Sequence, residues 1–380
     1  MAADLLPINF NINQEKKGKT HGKPRVLVAP LDWGLGHATR CIPIVKELQA
    51  QGCEVWVGAE GGTAKILQTE FPDLNFLELP GYRISYSDSA RGFLFRIVRQ
   101  IPKIRAAIMQ EYKWLKKQLE LYDFDAVISD NRFGLYTKNV PCIFITHQLT
   151  IKSPLGKWSE RILQRWNYKH INRFSECWVP DLPDDYNIAG QLSHPAKKPV
   201  VSIRYTGLLS RFEKKNENEN KGYIVIILSG PEPQRSILED KLIDELIRYN
   251  GTADVIRGLP SSLMILPSTN DIRFYNHLPA DELNKKILEA EFVISRTGYS
   301  TVMDVIQLQK KSILIPTPGQ TEQEYLARYL QQKKIAFCLQ QNDFSLMPAL
   351  ERARNFPYYF ITPDNNLLKK AVQALISKIK

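Results

Sequence analysis

The chain has 380 residues, 43% hydrophobic, 24% charged and 10% aromatic, a composition that excludes intrinsic disorder and collagen-like structure and gives length enough for two domains of about 150 residues. Lys and Arg number 51 against 40 Asp and Glu, a formal net charge of +11, so an anionic partner is expected: nucleic acid, a membrane surface or a phosphorylated ligand. The five cysteines form no C-x-x-C pair and no apolar run nears a membrane span, which excludes a zinc ribbon, a disulfide framework and a bilayer-crossing helix of about 20 residues, and suits a cytoplasmic protein with reduced thiols.

In chain order, residues 1–23 are polar, lack the apolar core of a signal peptide and are expected to form a loose tail. Strands are predicted at RVLVAP (Arg25 to Pro30), CEVWVGA (Cys53 to Ala59), NFLELP (Asn75 to Pro80), AVISD (Ala126 to Asp130), CIFITH (Cys142 to His147) and CWVPD (Cys177 to Asp181). Helical patterns over His37 to Gln51 and Thr63 to Thr69 lie between the first of them. Their hydrophobicity is continuous rather than alternating, so they are read as strands buried on both faces of a parallel sheet. The charged stretch of residues 213–222 has no periodicity and reads as a linker. Beyond it the rhythm restarts with YIVIILSG (Tyr223 to Gly230), a helix over Ser236 to Tyr249, DVIRG (Asp254 to Gly258), DIRFY (Asp271 to Tyr275), FVISR (Phe292 to Arg296) and SILIP (Ser312 to Pro316). The expected fold is α/β: two doubly wound domains, 24–212 and 223–380, facing a cleft at the carboxyl ends of their strands, with the last helix packing back on the first domain.

Three constellations could carry chemistry. After the first strand, Leu31 to Arg40 reads LDWGLGHATR, where Gly34 and Gly36 permit a tight turn and close backbone approach to an anion or sugar at a helix start. The third glycine of a dinucleotide fingerprint is missing, since Arg40 stands in its place. His37 lies on the first helical turn, and its alternative role is to cap or pack. The second constellation, Phe292 to Asp304, puts Arg296 at a strand end, Gly298 at the turn, and the hydroxyls of Thr297, Ser300 and Thr301 beside a helix start, a cradle for a diphosphate, with Asp304 one turn further on to face a ribose diol. The third, Ile315 to Ala327, presents Gln320, Glu322 and Gln323 after a Pro/Gly turn, suited to sugar hydroxyls. The plain alternatives are ordinary helix caps and loop residues.

These motifs, GLGHATR, SRTGYSTVMD and PGQTEQEY, resemble the inverting glycosyltransferases that include MurG, the peptidoglycan N-acetylglucosaminyltransferase, and the plant galactolipid synthases. The resemblance runs over about Arg25 to Leu330. It implies a GT-B fold of two Rossmann-like domains and a UDP-sugar donor as co-substrate, with no cofactor and no metal. It further implies roles for single residues: Gly34, Gly36 and His37 at the diphosphate and acceptor, His147 and Gln148 on the acceptor side, Arg211 at the nucleotide edge, and the backbone of His277 and Leu278 at the uracil ring. Gly298, Ser300 and Thr301 would then hold the diphosphate, Asp304 the ribose, and Glu322 with Gln323 the donor sugar.

Some residues depart from that pattern. Pro231 and Pro233 in the turn from Ser229 to Arg235 remove N–H donors from a phosphate loop. Asp32 and Trp33 replace small residues, and Gln148 replaces an acid, so the acceptor is expected to differ from the peptidoglycan intermediate. His37 is read as the base, with Asp130 or Asp32 in reserve. The D-x-D at Asp123 and Asp125 precedes a strand and is read as a loop. A UDP-sugar 2-epimerase or hydrolase, and a non-catalytic nucleotide-sugar binder, are the competing readings.

The positive charge concentrates in two stripes. From Arg91 to Lys117 eight basic residues, including Arg96, Arg99, Lys103 and Arg105, face one acid, Glu111, among apolar and aromatic residues. From Lys157 to Arg173 a base recurs every four residues beside Trp158, Ile162 and Trp166. Basic amphipathic helices of this kind suit an anionic bilayer surface, the inner face of the plasma membrane, and leave nucleic acid without a recognisable module. In the competing reading the apolar faces pack on the domain and the bases are merely solvated.

Overall fold

The computed structural model describes residues 22–32, 34–82, 93–260 and 262–379, and for 93–101 the backbone. The first parallel sheet is built from β1 (Arg25–Pro30), β2 (Glu54–Ala59), β3 (Asn75–Glu78), β4 (Ala126–Asp130), β5 (Cys142–Ile145), β6 (Glu176–Val179) and β7 (Ile203–Tyr205) in the order β3-β2-β1-β4-β5-β6-β7. The second comprises β8 (Asn220–Ile227), β9 (Thr252–Ile256), β10 (Ile272–Tyr275), β11 (Ala290–Arg296), β12 (Ser312–Ile315) and β13 (Phe337–Cys338) in the order β10-β9-β8-β11-β12-β13. Each sheet reverses direction beside its first strand, at β1/β4 and at β8/β11, the points where open α/β sheets leave a crevice for ligands.

The helices are α1 (Leu35–Ala50), α2 (Gly61–Glu70), α3 (Phe93–Leu121), α4 (Lys157–Ile171), α5 (Gln234–Leu246), α6 (Ala280–Glu289), α7 (Tyr299–Gln307), α8 (Thr321–Gln332), α9 (Leu346–Arg354) and α10 (Asn366–Ile379). They cover both faces of each sheet, which is why the strands read as continuous apolar runs. In β1, Val26 and Val28 enter the core under α1 and α2, while Leu27 and Ala29 enter the one under α3 and α4. In β8, Ile224 and Ile226 pack under α5 and α9, and Tyr223 and Val225 under α6. Each Val, Leu or Ile so buried contributes about 1.5–3 kcal/mol.

The last helix crosses back: Ala371, Val372, Leu375 and Ile376 of α10 are buried with Cys41, Ile44 and Leu48 of α1, and the Gln51 side chain donates to the Lys369 carbonyl at 3.1 Å. Two details differ from the sequence expectation. β8 starts at Asn220, so the last three residues of the 213–222 stretch belong to the sheet; Asn220 pairs with Ala290 across a bulge, a backbone interaction that does not require apolar side chains. β7 and β13 are three and two residues long, too short for any periodicity to show. Asp125 accepts the Arg25 backbone N–H at 2.8 Å, so the D-x-D sits at the amino ends of the strands, opposite the cleft.

Candidate active site

The two halves meet where the β1–α1 turn faces the start of α7. Gly34 adopts φ +80°, a left-handed backbone that favours glycine. The Ser300 hydroxyl donates to the Gly36 carbonyl at 3.0 Å, and a Cβ at Gly36 would lie 2.7 Å from that hydroxyl oxygen. Glycine is therefore required at 36 for contact across the cleft. At Gly298 a Cβ would meet nothing within 4 Å, which leaves open space before the helix start of Ser300 and Thr301.

One turn into α1, His37 and Arg40, three residues apart and on one helix face, converge on Asp130 at the end of neighbouring β4. His37 Nδ1 lies 2.9 Å from Asp130 Oδ2. Arg40 donates through Nε to Oδ2 at 2.8 Å and through Nη2 to Oδ1, and the same Nη2 is 2.7 Å from His37 Nδ1. Asp130 is fully buried. Burial opposes its charge, but Arg40 and His37 outweigh it and hold the carboxyl at about 2. With both oxygens taken up by Arg40 and His37, the carboxylate stands behind His37. Burial and the Arg40 charge pull His37 below the ordinary histidine value, only partly offset by Asp130. The ring is thus neutral near pH 7. Nδ1 faces the Asp130 acceptor and the Arg40 donor at once; in the tautomer that turns its proton to Asp130, Nε2 is left with a lone pair.

The acceptor-side and donor-side candidates also meet. His147 Nε2 lies 2.7 Å from Glu322 Oε1, the Gln148 amide donates to the other Glu322 oxygen, and the His147 ring stacks on Tyr299 with centroids 3.9 Å apart and planes within 5°. Burial works against the Glu322 charge, but His147 and Arg40 hold its carboxyl below the usual range. Gln323 turns the other way. It accepts from the Thr317 N–H at 2.9 Å and donates to Gln320 at 2.7 Å, bracing its own loop.

The remaining candidates form a second cluster around Asp304, which accepts from the Ser210 hydroxyl at 2.5 Å. Its burial pushes the carboxyl up to about 6 against the pull of Arg211 and Ser210. Arg211 stacks over Phe212 at 4.9 Å, and its charge adds to burial in lowering exposed His277. The Leu278 side chain is core, packed with Leu283 and Ile287, which anchors the segment whose backbone was expected at the uracil ring.

Arg296 departs from the expected contact with the donor. It is 1% exposed, and it donates to the Gln234 carbonyl at 2.5 Å and the Pro316 carbonyl at 3.4 Å. It braces the turns on either side of α7, and burial without a carboxylate lowers it to about 10.

A cavity of about 310 Å³ opens beside this centre, lined by Asp32, Gly34, Leu35, Glu60 and Gly61–Thr63. Another, of about 580 Å³, lies at the amino ends of β8–β10. The charges there are neutralised internally, because Asp254 takes Arg273, Lys286 and the Tyr223 hydroxyl. It is remote from the cleft chemistry.

Residues 269–377 match the glycosyltransferase family 28 C-terminal domain. An uncharacterised glycosyltransferase of Methanosarcina mazei is 25% identical over 79% of this chain and 81% of its own. The UDP-N-acetylglucosamine–N-acetylmuramyl-(pentapeptide) pyrophosphoryl-undecaprenol N-acetylglucosamine transferase of Haemophilus ducreyi is 22% identical over 89% and 90%. The chain is a glycosyltransferase with a GT-B fold, similar in sequence to MurG-like enzymes. Among solved structures, spinosyn rhamnosyltransferase SpnG complexed with thymidine diphosphate shares the fold at TM-score 0.58, 16% identity, and coverage of 93% of this chain and 96% of that one.

In this glycosyltransferase α3 and α4 lie side by side on the same face of the first sheet, joined through Ile104, Ile108, Phe133 and Trp166. Arg91 and the side chains of Arg96 and Arg99 lie outside the described residues. Lys103, Arg105, Lys113, Lys116 and Lys117 are exposed, and on α4 Trp158 and Ile162 are 61% and 55% exposed. Trp166 instead packs on Phe133, and Glu111 is buried against Arg132 and the Tyr82 hydroxyl. No helix among the described residues is long and apolar enough to cross a membrane.

Two site residues were not foreseen. Arg40 was legible only as a missing glycine, although its spacing from His37 placed it on the same face. Thr297, expected in the cradle, and Thr317, which lay unremarked within the Pro/Gly turn, follow β11 and β12 and have buried hydroxyls with no hydrogen-bond partner.

Proposed function

We propose that this glycosyltransferase moves a hexose or N-acetylhexosamine from a UDP-sugar to a hydroxyl acceptor, lipid-linked or part of a cell-envelope glycan, with inversion. The observation that carries this is His37, held by Asp130 and Arg40 and directly following Gly36, where the two glycine turns touch. The acceptor oxygen attacks the anomeric carbon from the face opposite the nucleotide. Its proton goes to His37 Nε2, and the bond to the diphosphate breaks with its electron pair leaving on UDP. Asp130 stabilises the imidazolium that forms.

At the leaving group, the N–H groups at the start of α7, the Ser300 and Thr301 hydroxyls and the unpartnered hydroxyls of Thr297 and Thr317 oppose the growing negative charge. The uncompensated Arg296 beneath them adds field without contact. This set of donors requires no obligatory metal, and the D-x-D lies at the wrong end of the sheet to hold one. Asp304, with Arg211 beside it, takes the ribose, and Glu322 leaves His147 to take the donor sugar. The named UDP-sugar relative and the nucleoside diphosphate in the SpnG structure support a nucleotide-sugar donor. The exposed bases of α3 and α4, with Trp158 and Ile162, support an anionic membrane surface as the place of work.

The test has two arms. UDP raises the melting temperature of the wild type, and Asp304→Ala abolishes that rise; a purine nucleotide acting in its place refutes the donor. His37→Ala keeps the UDP shift but loses 10²–10⁴-fold in UDP release with membrane lipid extract as acceptor, the usual worth of a positioned base. Unchanged turnover removes His37 from the chemistry.

A further inference from the structure

The segment that carries the chain out of the first half runs directly past Asp304. Ser210 donates its hydroxyl to Asp304 Oδ1 at 2.5 Å, and the same hydroxyl accepts the Phe212 N–H at 3.1 Å. The residues on either side are fixed in place. Leu209 is buried with Val302 and Met303 of α7, its N–H donating to the Met303 sulfur at 3.4 Å, and Phe212 is buried with Leu278 and Leu283. Two separate cores thus hold Ser210 against the carboxylate.

A serine hydroxyl offers a carboxylate the same group as one hydroxyl of a sugar. A ribose diol fills a carboxylate by donating one O–H to each of the two oxygens, since an ionised carboxyl only accepts. At Asp304 one oxygen is already taken by Ser210, so the full diol contact requires Ser210 to give up its bond. A 2′-deoxyribose brings a single ring hydroxyl to this edge and can pair with the other oxygen while Ser210 stays. The two sugars therefore meet different costs at the same carboxylate.

Arg211 makes the exchange feasible. Its buried Nε has no hydrogen-bond partner, and its charge and its backbone N–H both favour the ionised form of Asp304. The carboxylate consequently keeps support when Ser210 leaves. Arg211 also acts on His277, so the segment 209–212 lies between the groups assigned to the ribose and to the base.

We propose that Ser210 is a stand-in for the ribose: its hydroxyl competes with the donor's diol for Asp304 and sets how tightly a ribonucleotide, but not a deoxyribonucleotide, is held. This rests on the reading of Asp304 as the ribose ligand given under the proposed function. One bond is lost for two gained, so the diol contributes the weight of a single hydrogen bond. When the transfer is complete, Ser210 reclaims the carboxylate as UDP departs, which favours product release in each cycle.

The experiment is titration calorimetry of the full chain with UDP and with 2′-deoxyuridine diphosphate, for wild type, Ser210→Ala, Ser210→Thr and Asp304→Ala. Wild type is expected to prefer UDP. Ser210→Ala should bind UDP about three- to tenfold more tightly, the worth of one hydrogen bond no longer broken, and the deoxynucleotide within about twofold of wild type. Ser210→Thr, which keeps the hydroxyl, should return UDP to the wild-type affinity. A residue that merely shapes the segment would change both nucleotides together. Weaker or unchanged UDP binding by Ser210→Ala, or an equal change for the two nucleotides, overturns the proposal, while a wild-type preference for UDP that Asp304→Ala removes still keeps Asp304 at the ribose. Equal binding of the two nucleotides by wild type removes the ribose reading and the proposal with it.

Discussion

His37, Arg40 and Asp130 act as one unit. Asp130→Asn keeps the shape but removes the charge that favours a proton on Nδ1, so kcat for UDP release should fall by at least about 10²-fold while the UDP melting shift persists. The pH profile follows from the same neighbours: the base works unprotonated, and burial with Arg40 lowers His37. The acid limb of the wild-type rate should therefore lie below the ~6.5 of an ordinary histidine. A limb above that value would contradict the arrangement.

Asp304 gives a sign of the opposite kind. Its carboxyl is raised to about 6 from 3.8, so the folded chain binds this proton more tightly than the unfolded one. The resulting stability is present below the unfolded value and lost as pH rises through about 6. Asp304→Asn should weaken the decline in melting temperature between pH 5 and 7.5. In the sequence these residues were legible as types at strand ends. Their pairing was not, because the Asp130 and Glu322 contacts span 93 and 175 positions.

At the scale of an element, the segment after β6 shows how one carboxylate orders a loop. Asp181 is fully buried and accepts from the Leu182, Ile188 and Ala189 N–H groups at 2.8, 2.8 and 3.1 Å and from the Ser193 hydroxyl at 2.5 Å. The loop it closes receives α8: the Gln191 N–H donates to the Tyr325 hydroxyl at 2.7 Å, and the Tyr329 hydroxyl reaches Asn187 Oδ1 at 2.9 Å. At about 1 kcal/mol for each hydrogen bond, Asp181→Ala should cost roughly 3–4 kcal/mol. Urea unfolding would show this as a lower midpoint at an unchanged slope.

Strand AVISD was legible to the residue because Ala126–Asp130 is buried on both faces, whereas β7 and β13 are too short to carry a pattern. The basic stripe of α4 divides between both of its readings: Trp166 belongs to the core and Trp158 to the surface. Helical spacing puts both on nearby faces, and only the position of Phe133 decides which one is covered.

Over the whole molecule, the two-domain α/β plan followed from the repetition of buried strands and helices, and the match to known glycosyltransferases agrees with it. What that pattern could not supply was the way the halves sit together, which depends on Gly36 meeting Ser300 and His147 meeting Glu322. The return of α10 to α1 is the most testable part of this arrangement. Removing residues 366–380 strips Val372, Leu375 and Ile376 from the first core, each worth about 1.5–3 kcal/mol. The truncated chain should melt at least 10 °C lower or fail to stay in solution, and calorimetry of the purified protein reads this directly.

Because the chain leaves the first half through the charged stretch before β8 and returns to it ahead of α10, two strands span the gap where a single tether would permit any swivel. Two neighbouring pivots leave essentially one axis of bending, as in a clamshell. Substrate and product must then pass through the mouth opposite the pivots, and each catalytic cycle includes parting Ser300 from Gly36 and Glu322 from His147. Turnover would on this view be paced by a breathing motion rather than by bond making, with a rate that falls as solvent viscosity is raised.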